Sequence, residues 1–169
     1  MQATNPLLVT LSIDAKSQLF FNYLRQKHFP ENINYLEAHL ILFHNLPSNE
    51  ETITVNLEAM AAQTDTFTME AANVVCIGRG VAYKIISPQL SAMHKQLQQL
   101  WQQWLIPQDT QKLWPHITIQ NKVDHFAATA LAKELAEDFA PFEITATGLQ
   151  LWEYLRGPWK FIKQYNFSK

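Results

Sequence analysis

The stretch LWPHITIQNKV, residues 113–123, reads as a β-strand with two unlike faces. The side chains of a strand point alternately to opposite sides of the sheet. One side of this strand is apolar, with Ile117 and Ile119, and the other side carries His116 and Thr118. We therefore expect one face to pack on a core while the other presents an imidazole and a hydroxyl.

A second histidine occupies the corresponding position of an internal repeat. A shift of 77 residues places His39 on His116, and the same shift places GRG at 78–80 on LRG at 155–157. The repeat covers roughly 34–86 and 113–167. An element that occurs once in each of two similar lobes tends to line the interface between them. The repeat thus predicts that His39 and His116 face each other across a cleft.

Hydrophobic periodicity and turn signals predict alternating strands and helices along one domain, residues 1–169. The order favours an α+β fold in which two pseudo-symmetric lobes of antiparallel sheet, with helices outside, surround a central cleft. The first strand and helix are expected to complete the set. Strands are predicted at 7–13, 34–47, 67–78, 81–86, 113–123, 142–155 and 158–167, and helices at 15–28, 49–64, 87–105 and 124–140.

Composition excludes several classes of function. The 13 basic and 15 acidic side chains give a net charge of -2, which disfavours a broad electrostatic grip on nucleic acid. A single cysteine, Cys76, makes an internal disulfide impossible and argues against a cysteine-based metal site. No apolar run approaches the length of a membrane span, and residues 1–17 lack a signal peptide's basic start and apolar core. We expect a cytoplasmic protein that does not enter a membrane.

The two histidine motifs, HLIL at 39–42 and HITI at 116–119, resemble the paired His-x-Thr/Ser-x motifs of the 2H phosphoesterase superfamily. That group includes bacterial 2'-5' RNA ligase-like proteins and cyclic phosphodiesterases. The order of elements along nearly the whole chain is similar to that fold. The segments GRGVAYKI, ISPQL and GPWKF also resemble bacterial proteins of the 2'-5' RNA ligase family. Two motifs at corresponding places of a repeat are far more specific than one.

The resemblance implies a metal-independent, cofactor-free phosphodiesterase that acts on 2',3'-cyclic phosphates or on 2'-5'-linked RNA or nucleotide ends. His39 and His116 would divide the roles of general base and acid, which imidazole suits because it titrates near neutral pH. The hydroxyl of Thr118 would stabilise charge on the phosphate. The partner is then an RNA end or a cyclic nucleotide, and we expect the protein to be a monomer. Further substrate contacts are expected from Ile41 and Phe43, which strand alternation places on the same face as His39, and Phe43 would offer a stacking surface for a base. Tyr83 and Lys160, which the shift of 77 residues places on each other, are also expected to contact the substrate.

Ile41 departs from the family pattern, which has threonine or serine at this position. An isoleucine has no hydroxyl with which to donate a hydrogen bond to phosphate. Two hypotheses are therefore compatible with the sequence. One is the enzyme just described, and the other is a non-catalytic module that keeps the cleft and binds RNA ends or a nucleotide without turnover.

Overall fold

The computed structural model describes residues 4–169, which fold into four α-helices and one antiparallel sheet with strands of unequal length. None of the helices within this range is long and apolar enough to cross a bilayer. Residues 1–3, which belong to the segment 1–17 predicted not to be a signal peptide, lie outside the described residues. The strands are β1 (Leu7–Ile13), β2 (Leu40–Leu46), β3 (Phe67–Cys76), β4 (Val81–Ile86), β5 (His116–Gln120), β6 (Phe142–Tyr154) and β7 (Trp159–Asn166). The helices are α1 (Ala15–His28), α2 (Glu51–Ala62), α3 (Pro88–Trp101) and α4 (His125–Glu137).

Three helices begin where the sequence predicted, because their N-cap side chains bind the first free backbone N–H groups. Asp14 accepts a 2.9 Å hydrogen bond from the Ser17 backbone N–H, and Ser87 accepts one of 3.1 Å from that of Leu90. Asp124 accepts a 2.9 Å bond from Ala127. In the structure α3 is shorter than predicted, because it ends at Trp101 and not near residue 105.

The sheet has the order β2-β1-β6-β3-β4-β5, with β7 added on β6, and every pairing is antiparallel. Although β2 and β5 stand at opposite ends of this order, they lie close to each other in space. The sheet is therefore curled into a half-barrel. Apolar side chains of its convex face pack under the helices, and the concave face forms the cleft.

The order of strands has the symmetry of a repeat, although in a different phase from the predicted one. Exchanging β1, β2 and β3 for β4, β5 and β6 reproduces the same order, which indicates a βαβαβ unit used twice, with β7 outside it. The first strand and helix thus belong to the first unit and are not an addition. The predicted shift correctly matched β2 with β5, but it also matched β4 with β7, and these strands have different neighbours.

The strand predicted over 34–47 is shorter in the structure, where β2 begins at Leu40. Residues 34–39 bond to α1 instead of extending the pairing with β1. The backbone N–H of Ala38 donates to Asn22 Oδ1 at 2.9 Å, and Arg25 Nε donates to Asn34 Oδ1 at 2.8 Å. His39 therefore stands at the junction between this α1-bound segment and the sheet.

The outer edge of β2 is held by a buried carboxylate. Asp109 lies in a short 3-10 turn, Pro107–Thr110, and is only 2% exposed. Its oxygens accept 2.9 Å hydrogen bonds from the backbone N–H groups of His44 and Asn45 and lie 2.9 Å from His44 Nδ1. Because an unpaired edge strand exposes donors of this kind, Asp109 completes the hydrogen bonding of β2.

Replacement of Asp109 by alanine is expected to lower the free energy of unfolding by about 3 kcal/mol, because two backbone donors lose a charged acceptor. Urea denaturation measures this loss. The exposed Asp65→Ala is the matched control, since its side chain makes no hydrogen bond within residues 4–169. Equal, small losses in both variants would contradict the role given to Asp109.

Candidate active site

Each motif histidine stands at the start of an edge strand of the curled sheet. His39 directly precedes β2, and His116 is the first residue of β5. β2 and β5 come close to each other in space although they do not pair, so the two histidines start from neighbouring edges of the curled sheet. The positive charge of His116 also opposes protonation of His39 and lowers its pKa, which places the two rings within electrostatic range.

The two imidazoles are held in the same way. His39 Nδ1 lies 2.8 Å from the carbonyl oxygen of Glu37, and His116 Nδ1 lies 2.8 Å from that of Trp114. A carbonyl oxygen only accepts, so each neutral ring carries its hydrogen on Nδ1 and keeps a lone pair on Nε2. Two equivalent histidines thus have the same tautomer, with Nε2 free for proton transfer.

A tryptophan ring packs against each imidazole. The ring centroids of His39 and Trp159 are 4.7 Å apart, and those of His116 and Trp114 are 4.6 Å apart. These contacts limit rotation of the imidazoles and shield one side of each from water. The tryptophans come from different elements, because Trp159 begins β7 while Trp114 precedes β5.

Burial lowers the pKa of His39 to about 4, although its hydrogen bond to the Glu37 carbonyl acts in the opposite direction. The charges of Arg25, His116 and His44 lower this pKa further. Arg25 is itself buried, with its guanidinium bonded to Asn34 and to the Thr118 carbonyl, and burial lowers its pKa to about 10. At neutral pH, His39 is therefore uncharged beside a fixed cation.

The third position of the motif holds different residues in the two strands, Ile41 on β2 and Thr118 on β5. Thr118 is half-buried, and its hydroxyl makes no hydrogen bond to any residue of 4–169. Ile41, also half-buried, pairs across the sheet with Thr10. The cleft therefore has one free motif hydroxyl, on the His116 side.

Lys84 is a cleft residue that sequence reasoning missed. It is the cross-strand partner of His116, and partners share a face of the sheet. Lys84 is half-buried and forms no ion pair with a described residue. The alternation in VAYKII contained the signal, since Tyr83 and Ile85 face the core and Lys84 must then face the opposite side.

Strand alternation predicted that Phe43 shares the cleft face with His39. The structure shows that it does not. The pairing of β1 with β2 passes from Val9–Phe43 to Thr10–Ile41, so one residue of β2, Leu42, is bulged. The bulge reverses the alternation and buries Phe43 completely, with its ring stacked on His94 at 4.7 Å. Phe43 is a core residue and is not available to stack on a base.

Tyr83 and Lys160 also lie away from the cleft. Tyr83 is 3% exposed and faces the helices, because it alternates with Lys84. Lys160 pairs with Glu153, which pairs with the buried Leu7 on the convex face. The predicted equivalence of Tyr83 and Lys160 followed from the incorrect phase of the repeat.

A cavity of about 590 Å³ adjoins His39 but not His116. Its walls combine aromatic and amide side chains from β6, β7 and the segment before β2. Among the described residues that line it, Glu37 is the only carboxylate and none is a lysine or arginine. The principal polar and aromatic side chains are Ser12, Gln18, Tyr35, His39, Gln150, Trp152, Trp159 and Gln164.

One amide of this cavity has a fixed orientation. Trp152 Nε1–H donates to Thr10 Oγ1 at 2.9 Å, and Thr10 Oγ1 donates to Gln150 Oε1 at 3.2 Å. Because indole nitrogen only donates, Thr10 accepts from it and has its own hydrogen available for Gln150. Thr10 is fully buried, so water is excluded from this series of hydrogen bonds. Gln150 consequently keeps its NH₂ group free as a donor to the cavity.

Within residues 4–169, no group of three or more His, Cys, Asp and Glu side chains is arranged to hold a metal ion. The donor set of the cleft is two imidazoles, a hydroxyl, an ammonium and amides. Such a set suits a ligand that has an anionic group with oxygen acceptors and, joined to it, an uncharged part.

Solved structures support the fold. The Thermus thermophilus protein TT0787 shares 15% identity and a TM-score of 0.68, with 96% of this chain and 97% of that chain covered. Escherichia coli LigT complexed with 3'-AMP shares 18% identity and a TM-score of 0.62, with coverage of 99% and 100%. No curated protein matches the sequence.

The family model of the 2'-5' RNA ligase superfamily matches residues 13–158, which include both histidine motifs and most of the curled sheet. The resemblance found in HLIL and HITI is thereby confirmed at the level of the family. This chain belongs to the 2'-5' RNA ligase superfamily.

Proposed function

We propose that this protein is a metal-independent phosphodiesterase that acts on 2',3'-cyclic phosphates or 2'-5'-linked RNA or nucleotide ends. The observation that carries the proposal is the matched pair of imidazoles, each with Nδ1 bonded to the carbonyl two residues earlier and Nε2 free. A histidine that serves only the fold does not require a second histidine with the same hydrogen bond. Hydrolysis of a phosphodiester, in contrast, requires one group that accepts a proton and another, on the opposite side of the phosphorus, that donates one.

In the proposed reaction, His39 is the general base and His116 the general acid. The low pKa of His39 keeps its Nε2 unprotonated at neutral pH, so it accepts a proton from the attacking water. The water oxygen bonds to phosphorus as one ribose oxygen–phosphorus bond breaks. His116 gives its proton to that ribose oxygen, and transfer of a proton between the rings through solvent restores the starting state.

Thr118 and Lys84 are proposed to hold the phosphate. The free hydroxyl of Thr118 donates to a non-bridging oxygen, and the ammonium of Lys84 supplies positive charge on the same side of the cleft. Both lie by His116, where the second motif carries the hydroxyl that Ile41 cannot supply. The small net charge of the chain agrees with such a local phosphate site rather than an extended one.

The 590 Å³ cavity beside His39 is proposed to take the nucleoside attached to that phosphate. The lack of lysine and arginine among its described lining residues disfavours a second phosphate, and its tryptophans offer stacking surfaces for a base. The NH₂ group of Gln150 provides a directional donor. The LigT structures complexed with 3'-AMP, ATP, NADP+ and phosphate are consistent with a nucleotide-binding cleft in this fold.

A non-catalytic module that binds RNA ends or a nucleotide is the alternative, and Ile41 is the observation that favours it. Turnover distinguishes the two functions. Purified protein is incubated with 2',3'-cyclic nucleotides and a metal chelator, and both product and bound nucleotide are measured. Product supports the enzyme, whereas saturable binding without product supports the module.

Replacement of either His39 or His116 by alanine is expected to reduce turnover by about 10²- to 10⁴-fold. The double variant should lose little more than the worse single variant, because the two rings act on one step. The surface variant His125→Ala is the control, and chelator should leave all rates unchanged. Full activity in either single variant would show that the wrong histidine had been chosen.

The pH dependence of kcat/KM should show an acid limb set by a pKa of about 4, well below the ordinary histidine pKa of 6.5. Protonation of His39 removes the base, so the rate falls as the pH drops below the lowered pKa and is retained above it. Initial rates at limiting substrate, measured from about pH 3.5 to about pH 9, test this. An acid limb at about pH 6 to 7 would assign the base to a different group.

Lys84→Met is expected to raise the inhibition constant of inorganic phosphate about tenfold, because a nearby cation is lost from the cleft. Lys160→Met is the matched control, since that side chain lies on the opposite face of the sheet. Competitive inhibition of turnover by phosphate, or calorimetric binding of phosphate, measures the difference. Equal responses in the two variants would remove Lys84 from the proposed site.

A further inference from the structure

A larger cavity, of about 970 Å³, lies on the other side of the sheet from the histidine pair. It is formed by the start of α1, the end of α4 and the start of β6. Tyr83 lines it, and Tyr83 faces away from the cleft because its neighbour Lys84 pairs with His116. This cavity shares no described lining residue with the one beside His39.

Aromatic rings form the floor of this cavity. Phe20 and Phe142 meet edge to face with centroids 5.2 Å apart, and Tyr83 lies 5.9 Å from Phe139 in a similar arrangement. Phe20 remains 41% exposed although it belongs to this cluster. An uncovered aromatic surface within a concavity of this size has the form of a small-molecule site.

The hydroxyl of Tyr83 is an unused polar group at this floor. The residue is 3% exposed, and its hydroxyl makes no hydrogen bond to any residue in the described range 4–169. Among the described residues, the one fully enclosed side-chain oxygen or nitrogen without a hydrogen-bond partner is Gln120 Oε1. The unpaired Tyr83 oxygen is therefore not fully enclosed, and it reaches the open space of the cavity that Tyr83 lines. Burial raises the pKa of Tyr83, which keeps the hydroxyl neutral and able to donate or accept.

The rim of the cavity is strongly acidic. Among the described residues that line it, Lys16 is the only cation, against five carboxylates. The carboxylate of Asp14 is already engaged, because it accepts bonds from Ser17 and Thr145. The five acidic residues are Asp14, Glu134, Glu137, Asp138 and Glu143.

The placement of three of these carboxylates opposes the helix dipole. Glu134, Glu137 and Asp138 lie at the C-terminal end of α4, which has no basic residue in its last turn. A helix C-terminus carries partial negative charge and favours cations, so these side chains destabilise the isolated helix end. Their charge and the dipole together direct a negative potential at the cavity.

We propose that this cavity binds a small organic cation with an apolar body and a terminal ammonium group. The body packs on Phe20, Phe139 and Phe142, and the ammonium lies among the carboxylates of the α4 terminus. One ammonium N–H donates to the Tyr83 hydroxyl oxygen. Anions are excluded by the rim. The site is separate from the phosphodiesterase cleft and does not depend on its function.

The test uses three probes of nearly equal size and different charge: 4-phenylbutylamine, 4-phenylbutanol and 4-phenylbutyrate. Each is titrated into the full chain and followed by NMR shifts of labelled phenylalanine and tyrosine rings. The amine is expected to bind saturably, about tenfold more tightly than the alcohol, and the carboxylate is expected not to bind. Equal binding of the three, or no binding of the amine at millimolar concentration, would overturn the proposal.

Variants assign the binding to this cavity. The exposed pair Glu134→Gln/Glu137→Gln should weaken binding of the amine about tenfold, and Glu58→Gln on α2 is the matched control. Tyr83→Phe should weaken it several-fold while leaving the aromatic floor intact. Thermal midpoints verify that each variant is folded. Unchanged affinity in the double glutamine variant would contradict the role of the rim. Because the two sites are separate, 4-phenylbutylamine should not affect hydrolysis in the cleft.

Discussion

The pairing of β3 with β6 sets where the two ends of the sheet, and with them the two histidines, can meet. It joins the two βαβαβ units through five residue pairs, from Phe67–Ala146 to Ala71–Phe142, whose core-facing members are buried except for the half-buried Phe142. Because this seam lies at the centre of the sheet, β2 and β5 become its two ends. Curling of the sheet then brings those ends together, and the histidine of each unit arrives at the same cleft.

The symmetry of the fold produces a site whose two sides differ. Both imidazoles are oriented by the carbonyl two residues earlier, which is a consequence of the shared local backbone. The side with His116 adds Thr118 and Lys84, both suited to phosphate. The side with His39 adds a cavity whose described lining has no lysine or arginine, and there Ile41 replaces the hydroxyl. In the proposed function, the duplicated framework separates the groups that hold the phosphate from those that surround its nucleoside.

Much of the fold was predictable from local signals, because the caps at Asp14, Ser87 and Asp124 and the alternation of strands are encoded within a few residues. The His39–His116 correspondence was also predictable, since β2 and β5 are true equivalents in the repeat. Phe43 could not be placed correctly, because the bulge at Leu42 arises from pairing with β1 and leaves no mark on the local pattern. Tyr83 and Lys160 were misplaced for a related reason: strand neighbours, rather than sequence spacing, determine the phase of the repeat.

In the proposed reaction, His39 and His116 present their free Nε2 atoms to one phosphate. A crystal structure of the protein with inorganic phosphate, grown with a metal chelator, shows whether both rings contact the same anion. We predict one phosphate whose oxygens lie about 3 Å from both Nε2 atoms, with both Nδ1 atoms still bonded to the carbonyls of Glu37 and Trp114. Phosphate bound to only one ring, or at a place remote from both, would exclude a phosphate site shared by the two histidines.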